Sequence, residues 1–230
     1  WVIVATDRAK RPHEFSNKNV SKIQLPDYKA DCPFCPGNEH LATQEFLRIN
    51  GEKDWKVRVI SNKFPALSPE GERLRWNIGI NTTISGVGIH DVVVETPHHN
   101  SITALLPELD IYYLLLAFKL RYEEIAKDHR MEMIVIFKNH GESAGTSLEH
   151  PHCQIAATPV VPYQFRARIQ EVMRYFDDHG DCIFCRTALD EIANGTIIIA
   201  ENVSFIAFIP YAALTPFHIW IFPREHISSY

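Results

Sequence analysis

His150, His152 and Gln154 occupy alternate positions in the run His150-Pro151-His152-Cys153-Gln154-Ile155. Alternate side chains of a strand share one face, so the run predicts two imidazoles and a carboxamide side by side. The preceding segment, Asn139-His140-Gly141-Glu142-Ser143-Ala144-Gly145-Thr146-Ser147, is rich in glycine and hydroxyl residues. By itself such a segment is often only a loop. Placed beside the histidines, it can bring backbone N–H groups and small donors up to a phosphoryl group. Imidazole is largely neutral and nucleophilic near pH 7. His152 is the expected nucleophile, provided an acceptor holds its Nδ1–H and leaves Nε2 free. Gln154 narrows the reaction type, because a carboxamide can hydrogen-bond phosphoryl oxygens but cannot protonate a leaving group or activate water. The leaving group must depart unprotonated, as a phosphate or a sugar 1-phosphate does. This favours transfer between phosphates over hydrolysis, with Asn139, Gly141, Gly145 and Ser147 as further phosphate neighbours.

The five cysteines fall as Cys32-x-x-Cys35, Cys182-x-x-Cys185 and a lone Cys153. Paired C-x-x-C with histidines downstream reads as metal ligation rather than a disulfide framework. A thioredoxin-like redox motif is the weaker alternative, since both pairs read as turns and not as helix starts. Four ligands can be assembled from Cys32, Cys35, His99 and His150. A closed Cys₂His₂ set implies a structural zinc that holds His150, and with it the adjacent strand. Spacing defines the cysteine pair but not the distant histidines, and His99 also fits a polar surface turn, His98-His99-Asn100. Cys153 alternates to the other face of its strand and reads as a buried structural thiol. Reduced thiolates point to the cytoplasm.

These groups need a scaffold. Trp1–Ala5 reads as a strand, followed by the basic cluster Asp7-Arg8-Ala9-Lys10-Arg11-Pro12, which also fits a solvated turn. Residues 13–31 read as loop, and Cys32-Pro33-Phe34-Cys35-Pro36-Gly37 as a tight knuckle. Strands are expected at 56–60 and 88–95, with an exposed loop over 66–80. A long helix follows, its apolar face set by Ile111, Leu115, Phe118, Tyr122 and Ile125. A strand over 131–137 leads into the glycine-rich segment, and the His-Pro-His strand returns from it toward Pro159. A helix over about 163–178 presents Phe165, Ile169, Val172 and Phe176, then come the second knuckle and strands at 196–200, 204–209 and 217–222.

The two C-x-x-C knuckles and the later Pro97…His99 and Pro223…His226 suggest an internal duplication. The interval from His99 to His150, laid after His226, runs past residue 230, so the chain is expected to stop inside its second half. Of the 230 residues 46% are hydrophobic and 22% charged, the balance of an ordinary globular protein. No apolar run approaches the roughly 18–20 residues that span a bilayer. A net charge of −5 without a basic tract argues against general nucleic-acid binding.

Several segments together resemble the galactose-1-phosphate uridylyltransferases and the similar ADP-glucose phosphorylases of the histidine-triad superfamily. They are Trp1-Val2-x-Val4 with Arg8-Ala9-Lys10-Arg11-Pro12, Cys32-Pro33-Phe34-Cys35, Asn62-x-Phe64-Pro65-Ala66-Leu67, and Pro97-x-His99. Further along come Asn139-x-Gly141, Gly145-x-Ser147, His150-Pro151-His152-x-Gln154, Cys182-x-x-Cys185 and Pro223-x-x-His226. The match runs nearly the whole chain in order.

The resemblance implies an α+β fold of two histidine-triad-like halves, each an antiparallel sheet with packed helices, over 1–165 and 166–230. It implies double-displacement nucleotidyl transfer from a nucleotide sugar to a sugar 1-phosphate through nucleotidyl-His152, in a homodimer. By position, Cys32, Cys35, His99 and His150 match zinc ligands, and Asn62 matches a ribose or base contact. Asn139, Gly145, Ser147 and Gln154 match phosphate contacts, and Arg8 and Arg11 match substrate-reaching arginines. Cys182, Cys185 and His226 match a second metal site, zinc or iron, found in some branches. Lys63 stands where many uridylyltransferases have an acidic residue, which leaves the base open. The leading reading is a hexose-1-phosphate uridylyltransferase; the alternatives are a nucleotide-sugar phosphorylase that hands the nucleotide to inorganic phosphate and a non-catalytic zinc-stabilised nucleotide-binding module.

Overall fold

The computed structural model describes residues 25–141, 144–146 and 148–227, so the expected strand at Trp1–Ala5 lies outside the described residues. Two compact units meet in sequence between Val161 and Pro162. The first contains β1 (Glu45–Asn50), β2 (Trp55–Ser61), β3 (Arg75–Ile78), β4 (Asn81–Ile84) and β5 (Ile89–Val94), then helix α1 (Glu108–Ile125), β6 (Met133–Phe137) and β7 (His152–Thr158). Five of these strands form one sheet in the order β1-β2-β5-β7-β6, with every neighbouring pair antiparallel.

The central strands are covered on both sides, by α1 on one face and by the knuckle on the other. Val57, Val59, Val93, Ile155 and Ala157 pack beneath α1 with Leu114, Ala117 and Ile125. On the opposite face Ile60, Val92 and Val94 meet Cys32, Phe34 and Cys35 of the knuckle, together with Trp55 from the start of β2. Each fully buried valine or isoleucine contributes about 1.5–3 kcal/mol, so the sheet is held by both layers. Register places Val94 opposite His152, Val92 opposite Gln154 and His90 opposite Ala156. Directly opposed side chains of paired strands lie on the same face, so His152 and Gln154 share the knuckle face.

Gly88 shows how tightly β5 enters the sheet. A Cβ at this position would lie 2.5 Å from the Ala157 carbonyl oxygen. The Gly88 N–H donates to Ser68 O at 2.7 Å, and Ser68 N–H donates to Gly86 O at 3.0 Å. The segment after β2 is thereby fastened against β5.

Several expectations change. Residues 66–80 are exposed as expected, but they include β3, which pairs with β4 as a hairpin. No buried face imposes alternation on β3, so its sequence carries no strand period. Helix α1 buries Leu114, Ala117, Arg121 and Ile125, whereas Leu115 and Tyr122 of the expected face are 57% and 46% exposed. The helix is apolar over much of its circumference, and a buried ion pair selects the orientation: Arg121 Nε lies 2.7 Å from Asp91 Oδ2 on β5. Strand β1 was not anticipated from the sequence.

The second unit holds α2 (Tyr163–His179), α3 (Ile183–Asn194), β8 (Ile198–Glu201), β9 (Phe205–Phe208) and β10 (Trp220–Pro223). Its strands form an antiparallel sheet ordered β10-β9-β8. Ala188, Ile206 and Phe208 are its buried centre, with Trp220 and Phe222 packed against them. The expected apolar face of α2 is present in sequence, yet Ile169 and Phe176 stay exposed and the helix buries no residue. The second cysteine pair is a helix start and not a free-standing turn: Cys182 caps α3 and Cys185 lies in its first turn.

Candidate metal centre and phosphate-facing site

The knuckle brings Cys32 and Cys35 under the sheet through a turn in which Cys35 N–H donates to Cys32 O at 3.2 Å. Asn38 braces this turn by donating to the carbonyls of Cys32 and Lys29. His99 follows the end of β5, and His150 precedes β7. All four side chains are buried, at 4%, 0%, 2% and 0% exposure for Cys32, Cys35, His99 and His150. Their ligand atoms lie within 4.8 Å of one another. Cys35 Sγ is 3.5 Å from His99 Nδ1 and 3.7 Å from His150 Nδ1, and Cys32 Sγ is 3.8 Å from His150 Nδ1. A tetrahedral zinc with Zn–S near 2.3 Å and Zn–N near 2.0–2.1 Å has an S–N edge of roughly 3.6 Å. The donor set therefore fits a metal ion of that geometry.

Second contacts determine which nitrogens face the centre. His150 Nε2–H donates to Thr96 O at 2.8 Å, which leaves Nδ1 as the free lone pair toward the sulfurs. Burial lowers the His150 pKa to about 4, so the ring is neutral and able to ligate at pH 7. Burial pushes the Cys35 thiol up to about 11, a proton that a bound cation would displace. The outer Nε2 of His99 faces the Glu149 carboxylate at 3.6 Å.

His150 and His152 prove to have different surroundings. The strand begins at His152, so His150 lies outside it, fully buried and turned into the metal group. His152 and Gln154 are half-buried and alternate with buried Cys153 and Ile155. His152 Nδ1–H donates to the His150 carbonyl oxygen at 2.8 Å, which leaves the lone pair on Nε2. Phe34 of the knuckle contacts both rings edge-on, at centroid separations of 5.9 Å and 5.5 Å. A cavity of about 560 Å³ is lined by Lys138, Asn139, His140, Gly141, Thr146 and His152. Gly141 and Gly145 adopt positive φ of 83° and 81°, a conformation that favours glycine. The chemistry available here is nucleophilic attack by a fixed imidazole tautomer beside a turn shaped by Gly141 and Gly145, whose Ala144 and Thr146 N–H groups donate to the Gly141 carbonyl.

The match is to the family model described as "Galactose-1-phosphate uridyl transferase, N-terminal domain", over residues 1–162. The chain belongs to this family. ADP-glucose phosphorylase of Arabidopsis thaliana is 38% identical over 234 residues, covering 100% of this chain and 64% of that protein. Galactose-1-phosphate uridylyltransferase of Thermotoga maritima is 26% identical over 230 residues, covering 100% and 65%. A crystal structure of an A. thaliana ADP-glucose phosphorylase with bound ADP-glucose has a TM-score of 0.78 at 34% identity, covering 99% of this chain and 66% of that one. The chain thus spans 64% to 66% of the length of these proteins.

Of the residues selected from sequence, Cys32, Cys35, His99 and His150 come together as one group. His152 and Asn139 line one cavity, and Gln154 lies two positions beyond His152 on the same strand face. Asn62 sits at the end of β2, where Oδ1 accepts the Phe64 N–H at 2.9 Å. Arg8, Arg11 and Ser147 lie outside the described residues. In the second unit Cys182, Cys185 and His226 form a smaller, partly exposed group, with Cys185 Sγ 3.0 Å from His226 Nδ1. The helix-start position of that pair would suit a redox motif, but the adjacent imidazole favours ligation.

Sequence reasoning missed His90, Glu95 and Lys138. Glu95 is fully buried; it pairs with Lys138 and accepts from Thr103 Oγ1 at 2.5 Å and from the Cys153 thiol at 3.0 Å. Burial and this carboxylate push the Cys153 thiol well above the ordinary range, so it is an inert thiol as expected. A polar residue at the end of an apolar strand was the available signal for Glu95.

Proposed function

We propose that this protein transfers a nucleotidyl group from a nucleotide sugar to a phosphate acceptor by double displacement through His152. The observation that carries the reading is the His152 Nδ1–H bond to the His150 carbonyl oxygen at 2.8 Å. It presents Nε2 as nucleophile, and the same carbonyl stabilises the positive charge that the ring gains on forming an N–P bond. In the first displacement Nε2 bonds to the α-phosphorus and the bond to the leaving sugar 1-phosphate breaks. In the second, an acceptor phosphate oxygen attacks phosphorus and the N–P bond breaks, restoring neutral imidazole. Gln154, Asn139 and the backbone at Gly145 donate to phosphoryl oxygens, and Ser147, Asn62, Arg8 and Arg11 bind substrate by their family positions.

A zinc ion held by Cys32, Cys35, His99 and His150 has a structural role, fixing the residue whose carbonyl orients His152. Cys182, Cys185 and His226 bind a second zinc or iron. Two C-x-x-C pairs serving as metal ligands rather than disulfides accord with a reducing, cytoplasmic setting, and a homodimeric assembly belongs to the same proposal by family.

The identity to ADP-glucose phosphorylase, 38% against 26% for the Thermotoga uridylyltransferase, favours an adenylyl group and inorganic phosphate as acceptor. Uridylyl transfer to a hexose 1-phosphate is the second reading, supported by the family match over residues 1–162. Intact-mass spectrometry after separate mixing with ADP-glucose, UDP-glucose and GDP-mannose tests both. An increase of one nucleoside monophosphate is expected with one donor and not in His152→Asn. The productive donor names the base. No adduct with any donor would leave only a non-catalytic nucleotide-binding module.

A further inference from the structure

Strand β5 carries an imidazole to which no role has been given. His90 lies on the knuckle face, opposite Ala156 and diagonal to Gln154. Its two ring nitrogens have different partners. Nδ1 accepts the backbone N–H of Ala66 at 3.0 Å. A backbone N–H can only donate, so Nδ1 carries no proton and the neutral ring must carry it on Nε2. Nε2 lies 2.9 Å from Gln154 Oε1, to which it therefore donates. Asn62 Nδ2 lies 3.2 Å from the same nitrogen. Asn62 Oδ1 accepts the Phe64 N–H, so its NH₂ faces Nε2–H as a second donor, and with Nε2 protonated the approach is not a hydrogen bond.

The consequence falls on Gln154. A carboxamide can rotate to present either its oxygen or its NH₂ group, and the two orientations have opposite effects on a phosphoryl oxygen. With Oε1 held by His90, the NH₂ group is the end left for an anion. We infer that His90 is a positioning residue that selects the donor orientation of Gln154 and ties it to the segment carrying Asn62. The tie is double, since Asn62 N–H also donates to His90 O at 2.9 Å. The inference rests on nucleotidyl transfer through His152. Within that reading, it gives this ring a function that the carboxamide cannot supply for itself: a fixed sense of rotation.

The test uses substitutions that separate the two ring nitrogens. In His90→Asn the amide oxygen takes the place of Nδ1 as acceptor for Ala66 N–H, but nothing reaches Gln154. In His90→Gln an amide NH₂ occupies the place of Nε2. With the donor that labels wild type, His90→Asn is expected to slow nucleotidyl-His152 formation by about 10- to 100-fold, the scale of a misoriented contact, while the unfolding midpoint stays nearly unchanged. His90→Gln is expected to recover most of the rate, and His90→Asn to add no loss in a Gln154→Ala background. An unchanged rate in His90→Asn, an additive loss in the Gln154→Ala background, or no recovery in His90→Gln overturns the inference.

A wild-type protein that forms no adduct instead refutes the nucleotidyl-transfer reading. The ring is still tested there by long-range ¹H–¹⁵N correlation at about pH 8, above the ordinary imidazole range. Protonated Nε2 with unprotonated Nδ1 is expected, and the opposite tautomer or an imidazolium overturns the assignment.

Discussion

At the scale of the residue, His150 and His152 have the same chemistry and opposite environments. His152 keeps a solvent-reachable face and donates from Nδ1, whereas His150 donates from Nε2 and turns Nδ1 inward. Burial lowers the His150 pKa from 6.5 to about 4, which links its protonation to stability. Between those values the unfolded state binds more protons than the folded one, so stability rises with pH across the window. Metal-free protein is expected to be independent of this group above pH 6.5 and to lose up to about 3 kcal/mol as pH falls toward 4. Denaturant titrations at a series of pH values measure it, and His150→Gln should flatten the slope. An unaltered slope in that variant would remove His150 as its source.

At the scale of the element, the site depends on how closely β5, β7 and the segment after β2 approach one another. At Gly88 the approach leaves no room for a side chain: a Cβ would meet the Ala157 carbonyl at 2.5 Å and Leu67 Cδ1 at 2.9 Å. Backbone cannot move aside as a flexible side chain can. Gly88→Ala is therefore expected to destabilise the first unit by about 1–3 kcal/mol, read as a lower unfolding midpoint. If the midpoint is unchanged, the strands have room that this packing denies. The buried Asp91–Arg121 pair acts at the same scale, because it determines which face of α1 meets the sheet.

At the scale of the whole molecule, the two units carry two different sets of metal donors. Cys32, Cys35, His99 and His150 are buried and supply four protein ligands, while Cys182, Cys185 and His226 are partly exposed and supply three among the described residues. Elemental analysis is expected to find two metal equivalents per chain. On addition of a chelator one should leave rapidly and the other slowly, and loss of the slow one should lower the unfolding midpoint of the first unit. Release of both at one rate would contradict the difference in burial. No helix among the described residues is long and apolar enough to cross a membrane.

Local chemistry made much of the centre legible in advance. A C-x-x-C turn, alternating His152 and Gln154, and glycines at 141 and 145 are properties of short segments, and they carry their geometry with them. The strand Ile89–Val94 and the helix Glu108–Ile125 were legible for the same reason, since each shows its apolar pattern within a short stretch. The hairpin of Arg75–Ile78 with Asn81–Ile84 was not, because it buries no face that would impose a period. Only the tertiary structure decided the matters that depend on groups distant in sequence. The orientation of α1 follows from Asp91 meeting Arg121, and the tautomer of His150 follows from the Thr96 carbonyl. The role of His90 depends on Ala66 and Gln154 arriving at opposite nitrogens of one ring. A hydrogen bond between segments needs both partners in place, and strand register, not residue type, puts them there.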